Sequence, residues 1–184
     1  MLRADVDGDC HLDEVRDPDR EGVITVEGGG SPWRTDLDDT LARMGFAGSE
    51  DPDREARATL GDFDGDGYVD LTLFWSGPTL GDDPVDDMPI HEVHVGPLSR
   101  DLTGENVGPL RIRHGSFVSK VRADDQDGDG RAELRVIRYA GDGVYEHLVG
   151  RYHDDGITVA RASDDSNLQD SDPGWGDFET RADE

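Results

Sequence analysis

The sequence predicts an all-β protein, mainly antiparallel, built from about three repeated units and carrying one short helix. Three observations predict it. Acidic nine-residue loops recur at Asp5 (DVDGDCHLD), Asp62 (DFDGDGYVD) and Asp125 (DQDGDGRAE), at intervals of about 60 residues, as expected of one structural unit used three times. Apolar and polar side chains alternate with period two after the second and third loops. Only 33% of the residues are hydrophobic and the mean hydropathy is −0.72, so the core must be thin and spread across repeats.

In chain order, the first loop is followed by a turn at Asp17–Gly22 and a short strand through Val23, Ile24 and Val26, ended by Gly28-Gly29-Gly30. Thr35 with Asp38 three residues on reads as a capping box, and Leu37, Leu41 and Met44 share one face of the helix that follows. A polar link from Gly48 to Arg57 leads to the second loop, after which Leu71, Leu73 and Trp75 alternate with Thr72 and Phe74. Gly77–Pro89, rich in Gly, Pro and Asp, reads as a long exposed loop. Strands resume at His91–Val95, Leu110–Arg113 and Phe117–Val121. Beyond the third loop comes a meander: Glu133–Tyr139, a turn at Gly141-Asp142-Gly143, Val144–Tyr152, a turn at Asp154-Asp155-Gly156, then Ile157–Ala162. This places one repeat domain at 1–162, with units near 1–57, 58–120 and 121–162. An acidic, mostly disordered tail is expected over 163–184, with Trp175 and Phe178 as its docking residues.

The loops carry the chemistry. Carboxylates at the first, third, fifth and ninth places let a tight turn fold several oxygens around one hard cation, and calcium takes six to eight oxygens at roughly 2.3–2.6 Å. In the second loop the expected ligands are Asp62, Asp64, Asp66, the carbonyl of Tyr68, and Asp70. In the third they are Asp125, Asp127, Asp129, the carbonyl of Arg131, and Glu133. The first offers Asp5, Asp7, Asp9, seventh-place His11 and Asp13, but puts Cys10 where the others have the turn glycines Gly67 and Gly130. A side chain at positive φ costs of order 1 kcal/mol, so that site is expected to be weaker or remodelled rather than lost. The Cys10 thiol, a soft donor, is expected to be a bystander. Asp-Gly hairpin turns on an acidic surface would explain one such loop without any metal. Three in the same register outweigh that reading.

These are not helix–loop–helix sites. The twelfth place, where such a site needs a bidentate glutamate, holds Arg16, Leu73 and Val136. Each loop instead feeds a strand. DFDGDGYVDL and DQDGDGRAEL resemble the calcium loops of FG-GAP and VCBS repeats, the family that includes the integrin alpha-subunit propeller. That resemblance implies a β-propeller-like array in which each repeat forms one blade and the metal loop lies between strands. It also implies metal ligation by Asp62, Asp64, Asp66 and Asp70 and by Asp125, Asp127, Asp129 and Glu133, with a looser match at Asp5, Asp7, Asp9 and Asp13.

Formal net charge is −26 and the pI is near 4.3, which argues against nucleic acid or an anionic membrane as the main partner. No apolar run approaches a membrane span. Met1-Leu2-Arg3 runs straight into the first loop. Since such loops suit millimolar extracellular calcium, a secreted or cell-surface protein that has lost its leader is expected.

Catalytic patterns are sparse. His91, Glu92 and His94 lack the spacing of a helical zinc site, and on a strand His91 and His94 point to opposite faces. Ser31, Ser76 and Ser99 stand in no nucleophile frame. Asp82, Asp83, Asp86 and Asp87 cluster in the long loop with nothing near to desolvate them. Trp75 reads as core; Trp33 is open to core or surface. The expectation is a non-enzymatic protein with two to three Ca2+ ions, acting in recognition or adhesion toward a protein or carbohydrate ligand. The alternatives are an accessory or catalytic domain of a polysaccharide-active hydrolase, or a structural spacer. Three units leave two open sheet edges, so further repeats in a longer propeller or self-association are also expected.

Overall fold

The computed structural model describes residues 2–16, 23–44, 55–76, 90–112, 117–139 and 144–161. The expected turns at 17–22 and 141–143, the loop at 77–89 with its four aspartates, and the tail with Trp175 and Phe178 lie outside the described residues. Among those described, the fold is all-β with one short helix. A four-stranded antiparallel sheet runs in order β1 (Leu2–Ala4), β2 (Asp13–Arg16), β3 (Thr25–Glu27) and β4 (Arg34–Asp36), followed by helix α1 (Leu37–Arg43). A second, eight-stranded sheet joins two more meanders. One is β5 (Glu55–Gly61), β6 (Asp70–Ser76), β7 (Ile90–Val95) and β8 (Asn106–Arg111). The other is β9 (Phe117–Asp124), β10 (Glu133–Tyr139), β11 (Tyr145–His153) and β12 (Gly156–Arg161). They meet through a short parallel pairing of β8 with β12, Ile157 opposite Leu110 and Thr158 opposite Arg111. Each acidic loop connects the first and second strands of its meander.

The eight-stranded sheet curls until its outer strands β5 and β9 approach, which makes it nearly a barrel. Arg57 Nε donates to the Ser119 carbonyl at 3.2 Å, and the Ala123 N–H donates to Thr59 Oγ1 at 3.2 Å. Gly61 permits the approach, because a Cβ there would sit 2.6 Å from Ala123 Cβ.

Two apolar clusters follow from strand alternation. On β5 and β6, Ala56, Ala58, Leu60, Leu71, Leu73 and Trp75 point outward and pack with Leu2, Val15 and Val26 of the first sheet, Val6 of its acidic loop, and Leu37 and Leu41 of the helix. Thr72 is buried too, and Phe74 points inward to join Val93, Leu110, Val121, Val136 and Ile157 inside the curled sheet. Strand β6 is therefore covered on both faces, which explains its near-continuous apolar run. The core is two thin seams between meanders, as the composition requires.

The helix starts one residue later than the Thr35 capping box suggests. Asp36 is the N-cap, its carboxylate accepting from the Asp39 N–H at 2.9 Å, while Thr35 is buried in β4. The expected unit boundaries at 57/58 and 120/121 fall within β5 and β9, and Arg57, read as part of a polar link, lies in β5. The strand expected at Leu110–Arg113 begins earlier, at Asn106, despite Gly108 and Pro109.

Gly61→Ala should push β5 from β9 and destabilise the fold by about 1–3 kcal/mol, measured as a lower urea midpoint with unchanged slope.

Candidate metal centres

The three loops share one hydrogen-bonded frame. The first-place carboxylate gathers the backbone N–H groups of the loop around itself. Asp5 accepts from Asp9 and Cys10, Asp62 from Gly65, Asp66 and Gly67, and Asp125 from Gly128 and Gly130. Fifth-place Asp9, Asp66 and Asp129 accept from the N–H of His11, Tyr68 and Arg131 two residues on. Gly67 and Gly130 take φ of 93° and 89°, and Cys10 holds the same left-handed conformation at 65°. The first loop therefore keeps its shape and carries the strain itself.

The ninth-place carboxylate locks the frame. It accepts from the second-place N–H in every loop: Asp13 from Val6 at 2.9 Å, Asp70 from Phe63 at 2.8 Å and Glu133 from Gln126 at 2.9 Å. Its other oxygen reaches outside the loop. Asp13 takes the N–H of Gly29, Asp70 takes that of Gly96, and Glu133 takes Nε of Arg151. Val6 and Phe63, held this way, anchor the first two loops in the two apolar clusters.

Ligand atoms converge within 4.8 Å of one another in three sets: Asp5, Asp7 and Asp13; Asp62, Asp64 and Asp66; Asp125, Asp127 and Glu133. Each set could hold a metal ion. Of the remaining expected carboxylates, Asp9, Asp70 and Asp129 do not converge with their sets. Asp70 is fully buried with both oxygens accepting from backbone donors, as is Asp13 of the first set. Asp9 instead lies 3.2 Å from His11 Nδ1, and contact with Asp9 raises the basicity of that exposed ring. Asp7 is the exception among the converging groups. Its side chain is 5% exposed, with Oδ2 2.9 Å from Arg100 Nε, while Oδ1 is buried without a hydrogen-bond partner.

Cations that the loop motif does not announce surround the sets. Arg100 reaches Asp7, with its guanidinium 6.0 Å from the ring centre of half-buried Trp33. Arg151 on β11 pairs with Asp127 and Glu133, and the Arg131 side chain lies against Gly65 of the second loop. Main-chain bonds tie the first loop to the chain after β7 and the second loop to the third. The Leu98 N–H donates to the Val6 carbonyl, and the Ala132 N–H of the third loop donates to the Asp62 carbonyl at 2.6 Å. None of these partners is local in sequence, apart from Arg131 and Ala132, which lie within the motif.

His94, opposite in direction to His91, is buried with both nitrogens engaged: Nε2 with Glu92 at 2.9 Å and Nδ1 with the Gly104 N–H at 3.3 Å. This is a structural histidine. Trp75 lies in the core as expected. Among the described residues no helix is long and apolar enough to cross a membrane. Compared with family models, with curated proteins and with solved structures, the chain matches none.

Electrostatics disfavours the bare loops. Burial, and then the charges of Asp66 and Asp62, push Asp64 up, and burial with the nearby charge of Asp64 pushes Asp70 up to about 6. An aspartate whose folded value lies above its unfolded value of about 3.9 destabilises the fold once ionised. The penalty grows from about pH 4 to about pH 6 and reaches at most about 3 kcal/mol. Without divalent cations the protein should therefore melt higher at pH 5 than at pH 7 in scanning calorimetry. A bound cation offsets the penalty and should flatten or reverse that slope.

Proposed function

We propose that this chain is a calcium-binding β-repeat protein of the FG-GAP/VCBS type, a non-enzymatic recognition or adhesion module working outside the cytoplasm. One observation carries the reading. The same loop frame occurs three times at the same place in three consecutive meanders, each time bringing three carboxylates within bonding reach of a single ion. The converging donors are all carboxylate oxygens, which suits a hard cation rather than zinc or copper. Loops open to solvent at Asp66, Asp125 and Asp127 can complete a six- to eight-fold shell with water and carbonyls, as calcium tolerates and magnesium does less readily.

The thin seams give calcium a structural task. If each ion binds only the folded chain at a hundredfold excess over its dissociation constant, it contributes about 2.7 kcal/mol. Two or three such ions rival the stability of an ordinary domain, about 5–15 kcal/mol. Among the described residues β1 and β4 have no strand partner on their outer sides, which favours further repeats or self-association over an isolated unit.

Calorimetric titration of calcium into chelator-treated protein should show two or three binding events together with a large rise in melting temperature. Asp64→Asn and Asp127→Asn should each remove one event and leave the others. A flat titration, or a melting temperature indifferent to calcium, would refute the reading.

A further inference from the structure

The outer face of the β9–β12 sheet departs from the rest of this acidic molecule. Opposite to the face that fills the curled sheet, Arg122 on β9 pairs in register with Arg135 on β10, and the neighbouring row pairs Lys120 with Ile137. On β11, Val149 lies opposite Arg135, and Arg151 stands on the same face. Arg122 and Arg135 share one carboxylate, Asp124, at 3.4 Å and 3.6 Å, and their side chains are only 16% and 13% exposed. Arg122 Nε is buried and lacks a hydrogen-bond partner. Among the described residues these two cations pair with the one carboxylate of Asp124, while Arg151 is taken up by Asp127 and Glu133, and burial lowers the basicity of Arg135 in this partly desolvated place. Beside this patch lies an aromatic pair, Tyr139 and Tyr145, ring centres 5.4 Å apart, with Tyr145 57% exposed. Arginines with Val149 at one end and an exposed tyrosine pair at the other, separated by the Ile137–His147 row, have the make-up of a binding surface. Neither apolar cluster uses this face.

We propose that this face is the docking site for the chain's own acidic segment, residues 162–184. Charge is the first argument: the segment holds eight acidic residues and a single arginine, Arg181, and its two aromatic residues, Trp175 and Phe178, match the tyrosine and aliphatic part of the face. Position is the second. The segment leaves the sheet at Arg161, the end of β12, and β9 lies three strand spacings away, about 14 Å. Twenty-three residues reach up to about 75 Å when extended, so the whole face is within range. Tethering gives the segment a local concentration in the millimolar range, which a foreign acidic chain would have to outcompete. The inference does not rest on the calcium reading.

The test is proteolysis of the full chain by a protease that cuts after aromatic residues, at saturating calcium, following cleavage at Trp175 and Phe178. Cleavage should be about tenfold slower than in a free peptide of residues 162–184, since the rate follows the undocked fraction. Arg122→Glu with Arg135→Glu should restore the peptide's rate. So should 1 M salt on the unaltered chain, where the screening length falls to about 3 Å, so the result does not depend on the variant folding. Cleavage of the unaltered chain at the peptide's rate in low salt would overturn the proposal. Protection that disappears on dilution would overturn it too, by assigning the face to a second copy. Protection unmoved by both salt and charge reversal would contradict the role of the arginines and overturn it as well.

Discussion

Crowded carboxylates turned toward backbone N–H groups are the interaction on which the rest of this molecule depends. Each acidic loop places four acids within nine residues, and mutual repulsion alone would open such a turn. It is held by bonds from side chain to backbone: the first-place carboxylate draws in the N–H groups of the turn, and the ninth closes on the second-place N–H. The hydrogen bonds set the shape. The excess negative charge remains, answered in part by Arg100, Arg131 and Arg151 leaning over the loops.

From the loops the constraint passes to the strands. Each loop joins the first two strands of its meander, and its ninth residue sends a second bond outward. The bond goes to the β3–β4 turn in the first unit, to the chain leaving β7 in the second, and to β11 in the third. Two loops also insert Val6 and Phe63 into the apolar seams. Since those seams are thin, loop geometry and strand packing support each other, and a cation that quiets the repulsion acts on both. On the proposed calcium reading, binding and folding are one equilibrium.

The loops themselves, β6, β10 and the last meander were legible in the sequence, because their alternation and turn residues are local signals. Strand β5 was not, for a physical reason. Ala56, Ala58 and Leu60 face one seam while Arg57 and Thr59 turn toward β9, and all five are buried, so period two is blurred and the stretch reads as a polar link. Strand β8 hides behind Gly108 and Pro109, where the glycine is required because a Cβ would meet the Asp155 carbonyl oxygen at 2.0 Å. The helix cap was missed by one residue because Asp36 and Thr35 are both good caps, and burial in β4 decided between them. At the candidate sites the acidic residues were readable from spacing alone. The commitment of Asp70 to Phe63 and Gly96 was not, because Gly96 comes from a different part of the chain. The arginines over the first and third loops were invisible for the same reason.

Residue-resolved amide hydrogen exchange, with calcium and after chelation, tests the central claim most directly. If occupied loops hold the sheets together, the N–H groups of Val6, Phe63 and Gln126 and the Ala132–Asp62 link should be protected with calcium. Chelation should remove that protection together with protection in β6 and β10. Equal protection of these amides in both conditions would contradict the account.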